Sequence, residues 1–252
     1  MNGRELAGRV AIVTGSSRNI GRAIAVDLAA AGAAVVVNAR QSAEEARAVA
    51  DSIVASGGRS TAVLADVAHE DAVRTLIDES LATFGRLDIL VNNAALRREV
   101  DFADLTYAEW REVMAITLDS AYLCCRAALT HLKMSPEAAI VNIGGLSAHT
   151  GSARRAHVVA AKAGLAGFTR ALAHDLSPYG ITVNCVAPGL IATHRPAEAG
   201  RPEPAHHATH APLVGRRGTA DEIASLVRFL CGPRARYITG QTLHANGGVF
   251  MG

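Results

Sequence analysis

The chain has 252 residues, half of them hydrophobic, 19% charged and 4% aromatic, with a formal net charge of +2. That much apolar material excludes a disordered chain, and the length suits one large core. A charge so near zero gives no electrostatic basis for nucleic-acid or membrane-surface binding, and so few aromatics argue against a base-stacking platform.

Val10–Val13 is a short apolar run ending at Thr14 and Gly15, and a helical pattern follows over Ile20–Ala31. Ala34–Val37 is the next apolar run, and Ala43–Ser56 after it is charged and amphipathic. Thr61–Leu64, Ile89–Val91, Ala139–Ile143 and Ile181–Val186 repeat the strand pattern, and Gln241–Leu243 repeats it weakly. His69–Phe84, Tyr107–Leu132, Val158–Asp175 and Ala220–Leu230 read as the helices between them. Such alternation predicts right-handed crossovers and a single-domain Rossmann fold over residues 1–252. The sheet is expected to be doubly wound and parallel, about seven strands wide, with helices on both faces. Leu190–Gly218 alone is irregular and rich in His, Pro and Arg, which suits a substrate loop or lid.

Cys124, Cys125, Cys185 and Cys231 show no C-x-x-C spacing and read as reduced core thiols. The first residues carry no apolar signal segment, and no uninterrupted apolar run reaches the ~18 residues of a membrane span. The expected location is the cytoplasm.

The first strand runs into Thr14-Gly15-Ser16-Ser17-Arg18-Asn19-Ile20-Gly21. Gly15 permits a tight strand-to-helix turn, and Gly21 lets helix and strand approach closely. The helix N-terminus then directs free N–H groups and a positive dipole at a pyrophosphate. This loop resembles the T-G-x-x-x-G-x-G signature of short-chain dehydrogenases/reductases, with Asn19 in place of the middle glycine. Asn tolerates a positive φ better than most residues, so the loop is expected to keep its shape. Asp66-Val67, Asn92-Asn93-Ala94-Ala95, Lys162, Pro188-Gly189, Thr193 and Asn246-Gly247-Gly248 match the same family in order and spacing. Essentially the whole chain resembles it, and in particular its 3-oxoacyl-carrier-protein-reductase-like members.

The resemblance implies a dinucleotide site. Gly15, Ser17, Arg18, Ile20 and Gly21 would form its phosphate side. Asp66 and Val67 would hold the adenine, and Asn93 and Ala94 would supply adenosine-side backbone. Pro188 and Gly189 would border the nicotinamide, and Ile191 and Thr193 would meet its carboxamide. Cofactor choice is read at the end of the second strand, where Asn38 replaces the acid that would take the ribose 2′-hydroxyl of NAD. Arg18 and Arg40 can approach that corner, where guanidinium groups suit a 2′-phosphate. The expected cofactor is NADP(H).

At the reaction end the resemblance is incomplete. Family members use a tyrosine as acid/base, a lysine four residues later, a serine that orients the carbonyl, and an asparagine that supports a water relay. Lys162 occupies the lysine position, but Val158 stands at the tyrosine, Gly145 at the serine and Thr117 at the asparagine. No tyrosine lies between Gly145 and Lys162. Lys162 and Thr117 remain as catalytic candidates. Ser147 could swing in, while His149, Arg154 and Arg155 read as solvated loop residues that could contact a substrate. His157 points about 100° away from Val158 around a helix. His206, His207 and His210, with Glu203, read as part of a basic lid rather than a zinc site.

Three functions fit. One is an NADP(H)-dependent reductase of a small molecule that needs no strong protein acid, such as an iminium ion or an activated C=C. The others are a non-redox enzyme that reuses the cleft, and a silent NADP(H)-binding partner or sensor. Tyr107–Leu132 and Val158–Asp175 are apolar on more than one side, from which a homodimer or homotetramer is expected.

Overall fold

A strand that is apolar at every position has to be covered on both faces, which only a parallel sheet between two helix layers provides. The computed structural model describes residues 4–193 and 211–252 and has that architecture. Its strands are β1 (Val10–Val13), β2 (Ala34–Ala39), β3 (Arg59–Leu64), β4 (Ile89–Asn92), β5 (Ala139–Ile143), β6 (Thr182–Pro188) and β7 (Thr242–Ala245). They form one sheet in the order β3-β2-β1-β4-β5-β6-β7, every neighbouring pair parallel. Every residue of β1, β2, β4, β5 and β6 is buried.

The helices are α1 (Asn19–Ala30), α2 (Ala43–Ala55), α3 (Glu70–Phe84), α4 (Tyr107–Met114), α5 (Ser120–Leu132), α6 (Ser147–Thr150), α7 (Ala156–Leu176) and α8 (Ala220–Cys231). On one face Ile24, Leu28, Val49, Ile53, Val227 and Leu230 of α1, α2 and α8 pack on β1, β2 and β4. On the other, Leu76, Cys125, Ala128 and Leu176 of α3, α5 and α7 meet Ile12, Val36, Leu90 and Ile140. The chain order reverses between β1 and β4, which opens a crevice at the carboxyl ends of the strands.

Several boundaries depart from the periodicity. Tyr107–Leu132 is not one α-helix, because a π-helical turn at Ala115–Asp119 separates α4 from α5. Apolar periodicity continues through that turn, so the sequence pattern does not reveal it. α7 begins two residues before Val158, at Ala156. β2 and β6 run on to Ala39 and Pro188, since ladder bonds to β3 and β7 continue past the apolar core of each run.

A buried polar ladder fixes the strands at the centre to the helix above them. Asn92 Nδ2 donates to Asn142 Oδ1 at 2.8 Å, and Asn142 Nδ2 donates to Thr169 Oγ1 at 2.9 Å. The Thr169 hydroxyl donates in turn to the Leu165 carbonyl at 2.8 Å. β4, β5 and α7 are thereby locked in one relative position.

His157 lies on the first turn of α7, fully buried, with both ring nitrogens lacking a hydrogen-bond partner. Burial holds its pKa below the ordinary histidine value; Glu109 of α4 opposes the shift, and Arg155 and Arg98 add to it. The folded state therefore prefers neutral His157. Its stability contribution is complete above the unfolded-state pKa of about 6.5 and is lost as the pH falls below it. Thermal melts between pH 8 and pH 5 should fall less steeply for His157→Phe, by about 2–4 °C for each kcal/mol involved. Some slope should persist, because burial also depresses His149 and His244. Superimposable profiles for the two proteins would contradict this account.

Candidate active site

The crevice is built first by backbone. Gly15 takes a φ of 59° and Asn19 a φ of 51°, so the asparagine adopts the left-handed conformation expected of it. A Cβ on Gly21 would lie 2.4 Å from the Gly15 carbonyl oxygen and 2.5 Å from Asn93 Nδ2, so only glycine fits there. No side chain caps the N-terminus of α1 and its first turn holds no acid. The uncapped N–H groups and the glycine cradle fit a pyrophosphate.

Asn38 has a different role from the one expected at the end of β2. It is 1% exposed, and its Oδ1 accepts from the Gly15 N–H at 3.1 Å. Its Nδ2 donates to the Val63 and Ala65 carbonyls at 3.3 and 3.1 Å. The side chain is occupied on both ends, so Asn38 shapes the loop rather than touching a ribose. Thr14 works similarly on the other side: its Oγ1 accepts from the Asn93 and Ala94 N–H groups, each at 3.0 Å. Asn93 Nδ2 donates back to the Thr14 and Gly15 carbonyls, each at 2.9 Å. Asn93 and Ala94 thus position the loop as well as lining it.

Asp66 is half-buried with Oδ1 accepting from the Ala68 N–H at 3.1 Å, and Val67 is buried beside it. Arg18 and Arg40 are exposed at the open corner between α1 and β2. The sequence reading overlooked an acid at that corner. Glu45, in the first turn of α2, accepts a hydrogen bond from Ser17 Oγ at 3.3 Å. Its signal was present, as Glu44 and Glu45 open α2 directly after Arg40.

On the far side Pro188 ends β6, and the Gly189 N–H donates to the Ala245 carbonyl at 2.9 Å. A Cβ at Gly189 would fall 2.5 Å from Asn246 Cα, so this glycine too is required by close approach. Ile191 pairs with Gly218, and backbone bonds Ala192 to Gly218 and Gly218 to Leu190 close the mouth of the intervening loop. Thr193 is the last described residue before the gap, and Glu203, His206, His207 and His210 lie outside the described residues.

Lys162 is 6% exposed on α7, and its Nζ donates to the Ile143 carbonyl at 2.5 Å. Burial above all, then the charge of Arg97 and to a lesser degree Arg155, brings its ammonium down to about 7 against an upward pull from Cys185. Val158 is 1% exposed in an apolar cluster with Val113 and Ala161, bordered by Leu96, Met114 and Leu118. A side chain at Gly145 would meet nothing within 4 Å. Thr117 sits in the π-helical turn, 1% exposed, with its hydroxyl accepting from the Leu96 N–H at 3.4 Å.

The loop residues separate. His149 packs edge-on against His244, ring centroids 4.5 Å apart, with Phe250 beside both. Arg154 is half-exposed and pairs with Asp101 at 3.2 Å. Arg155, expected to be solvated, is 7% exposed and precedes α7 directly. The charged stretch in which it lies gives no apolar signal for that burial.

Residues 15–250 match the family model described as Enoyl-(Acyl carrier protein) reductase. The chain is 42% identical over 247 residues to a 3-oxoacyl-[acyl-carrier-protein] reductase of Synechocystis, covering 98% of each. It is 38% identical to the enzyme of the same name from Escherichia coli, covering 97% of this chain and 98% of that one. Among solved structures, a dehydrogenase/reductase from Sinorhizobium meliloti superposes with a TM-score of 0.92 at 38% identity, over 99% of this chain and 98% of that one. A short-chain dehydrogenase from Burkholderia cenocepacia in complex with NADP superposes with a TM-score of 0.89 at 40% identity, over 97% and 99%.

Proposed function

The chain belongs to the short-chain dehydrogenase/reductase family, and on that premise we propose an NADP(H)-dependent reductase of an activated C=N or C=C bond. The observation that carries the reading is the pairing of a dinucleotide cradle with a buried Lys162 at the opposite end of one crevice, and with an apolar wall where a proton-donating phenol would stand. Relatives named for 3-oxoacyl reduction make a 3-oxoacyl thioester the natural comparison substrate.

The chain's own groups divide the work. Gly15, Gly21 and the α1 N-terminus bind the pyrophosphate, with Ser17 and Ile20 beside it, and Asp66 and Val67 hold the adenine. Arg18 and Arg40 meet the 2′-phosphate; Lys162 holds the nicotinamide-side ribose; Pro188, Gly189, Ile191 and Thr193 seat the nicotinamide. The bound dihydronicotinamide supplies the hydride. Val158 and Gly145 offer no side-chain proton and no hydroxyl to orient a carbonyl. A positioned acid contributes about 10²–10⁴-fold, and an oxyanion-holding donor about 3–4 kcal/mol. Unactivated ketones are therefore poor substrates in this reading.

Glu45 favours a second reading of the adenosine corner, since a carboxylate there repels a 2′-phosphate and can accept from a 2′-hydroxyl. Fluorescence titration at fixed salt separates the two. Tighter binding of NADPH than of NADH is expected, weakened about tenfold in Arg40→Ala and strengthened in Glu45→Gln. Equal affinities, or an NADH preference, would overturn the NADP(H) assignment.

The reaction-end reading is tested by restoring hydroxyls. Gly145→Ser enters open space, whereas Val158→Tyr must displace the apolar cluster around it. The double variant should reduce ethyl acetoacetate at least tenfold faster than the parent protein, and Val158→Tyr alone less, once both are shown to fold and bind cofactor. Ordinary ketone turnover by the parent protein would refute it.

We further propose a homodimer or homotetramer. A groove of about 530 Å³ runs between α5 and α7, lined by Leu118, Tyr122, Leu123, Gly164 and Phe168. The continuous helical stretch Tyr107–Leu132 is long and apolar enough to cross a membrane by length and composition, yet its inner face packs on the sheet. Its outer apolar face is suited to a second copy. The four cysteines are free and buried, which supports a reducing, cytoplasmic setting. Light scattering at micromolar concentration should give at least twice the monomer mass, and a monomer would rule the assembly out.

A further inference from the structure

The reductase reading leaves open which group delivers the proton. We propose that Lys162 does so itself, its ammonium acting as the general acid of this site. The inference rests on the reductase reading and on four observations.

The first is elimination. Val158 and Gly145 carry no proton to give. The Thr117 hydroxyl, which accepts from the Leu96 N–H, is a very weak acid, as is the Ser147 hydroxyl. His149 packs with His244 and Phe250, and burial with the Arg170 charge holds its pKa down and so favours the neutral ring. His157 is sealed in the core. Arginines keep their protons, and burial raises the Cys185 thiol above its ordinary range.

The second is placement. Nζ donates to the Ile143 carbonyl, at the end of β5, two residues before the open space at Gly145. An ammonium has three protons, and the carbonyl takes one.

The third is the electrostatic surroundings. The charged and titratable groups that bear on Lys162 are Arg97 after β4, Arg155 before α7 and Cys185 on β6. No carboxylate stands among them to hold the ammonium charged. Burial and the two guanidinium groups favour the neutral amine, as transfer of the proton requires.

The fourth is composition. Lys162 and Lys133 are the only lysines among 25 cationic residues. An arginine could hold a ribose hydroxyl, but it cannot release a proton.

The step balances as follows. Hydride bonds to the electrophilic carbon, and the π pair passes to the imine nitrogen or, through an enolate, to the α carbon of an activated alkene. The Nζ–H bond breaks as the new N–H or C–H bond forms. Lys162 is left as a neutral amine and regains its proton from solvent.

With only two lysines, the amine can be watched directly. Protein carrying isotope-labelled lysine should give two side-chain titrations by NMR, assigned with Lys133→Arg. In the protein without cofactor, Lys162 should titrate near 7, and Lys133, exposed over the Tyr179 ring, supplies the second, separately assigned signal. This measurement needs no change at Lys162, so it stands even if variants there fold poorly. The second arm follows NADPH oxidation with cyclohexenone and with dihydroisoquinoline from pH 5.5 to 9. The wild-type rate should fall as pH rises through the Lys162 titration measured in the NADP+ complex. Lys162→Arg should bind NADPH within about tenfold of wild type, lose about 10²–10⁴-fold in kcat and lose that pH dependence. Wild-type rate and pH profile in Lys162→Arg would overturn the donor role alone, as would a Lys162 that stays charged to pH 10 with and without cofactor. No NADPH oxidation by the wild type with either substrate would overturn the reductase reading, and the donor role with it.

Discussion

Because all seven strands run in one direction, every strand-to-helix connection leaves the sheet at the same edge. The candidate site residues described above, from Gly15 to Gly189, are spread across the chain and converge only because of that constraint. Parallel strands need crossovers, crossovers need helices, and the helices bury both faces of the sheet. The apolar runs of β1, β2, β4, β5 and β6 are the sequence form of the same requirement. Within this frame the Asn92–Asn142–Thr169 ladder has a particular part. Three buried polar side chains linked by hydrogen bonds hold β4, β5 and α7 together, and α7 carries Lys162. An apolar substitute would keep the burial but lose the fixed geometry.

The two ends of the crevice are stabilised by different physics. At the phosphate end the contacts are backbone, and Gly21 and Gly189 sit where a Cβ would collide with main chain. Asn38 and Thr14 reinforce that end by tying its loops to β3 and β4 rather than by reaching for a ligand. The cradle is therefore held by the fold itself, and such preorganisation lowers the ordering cost of any association there. At the reaction end the ordering comes from side chains in an apolar setting. Desolvation is the dominant influence there, as the behaviour of Lys162 indicates.

Much of this was legible in the amino-acid order. Buried runs marked five strands, and the spacing from Thr14 to Gly21 marked the phosphate loop. Asn19 at φ 51° follows from what asparagine tolerates. What escaped was decided by partners distant in sequence. Asn38 reads from its position as a cofactor-side residue lacking the ribose-binding acid, whereas its bonds to Val63 and Ala65 depend on β3 lying alongside. Arg155 looked solvated because charge predicts exposure, and only the closure of the loop before α7 buries it. The π-helical turn at Ala115–Asp119 leaves apolar periodicity almost unchanged while re-aiming Thr117. Glu45 was visible in the sequence and was missed because the acid was sought on β2 instead of α2.

The contrast between Gly145 and Val158 bears on how the reaction end works. Simple loss of two side chains would leave room at both positions, yet only Gly145 borders open space. Around Val158 the volume is filled by Val113, Ala161, Leu96, Met114 and Leu118, and burying a valine of this kind contributes about 1.5–3 kcal/mol. That wall is a packed apolar surface, stable in its own right. Lys162, one residue beyond Ala161 of that cluster, is itself buried, so its hydrogen bond to the Ile143 carbonyl is less screened than it would be in water. The same burial makes a permanently charged ammonium costly and draws the lysine pKa down.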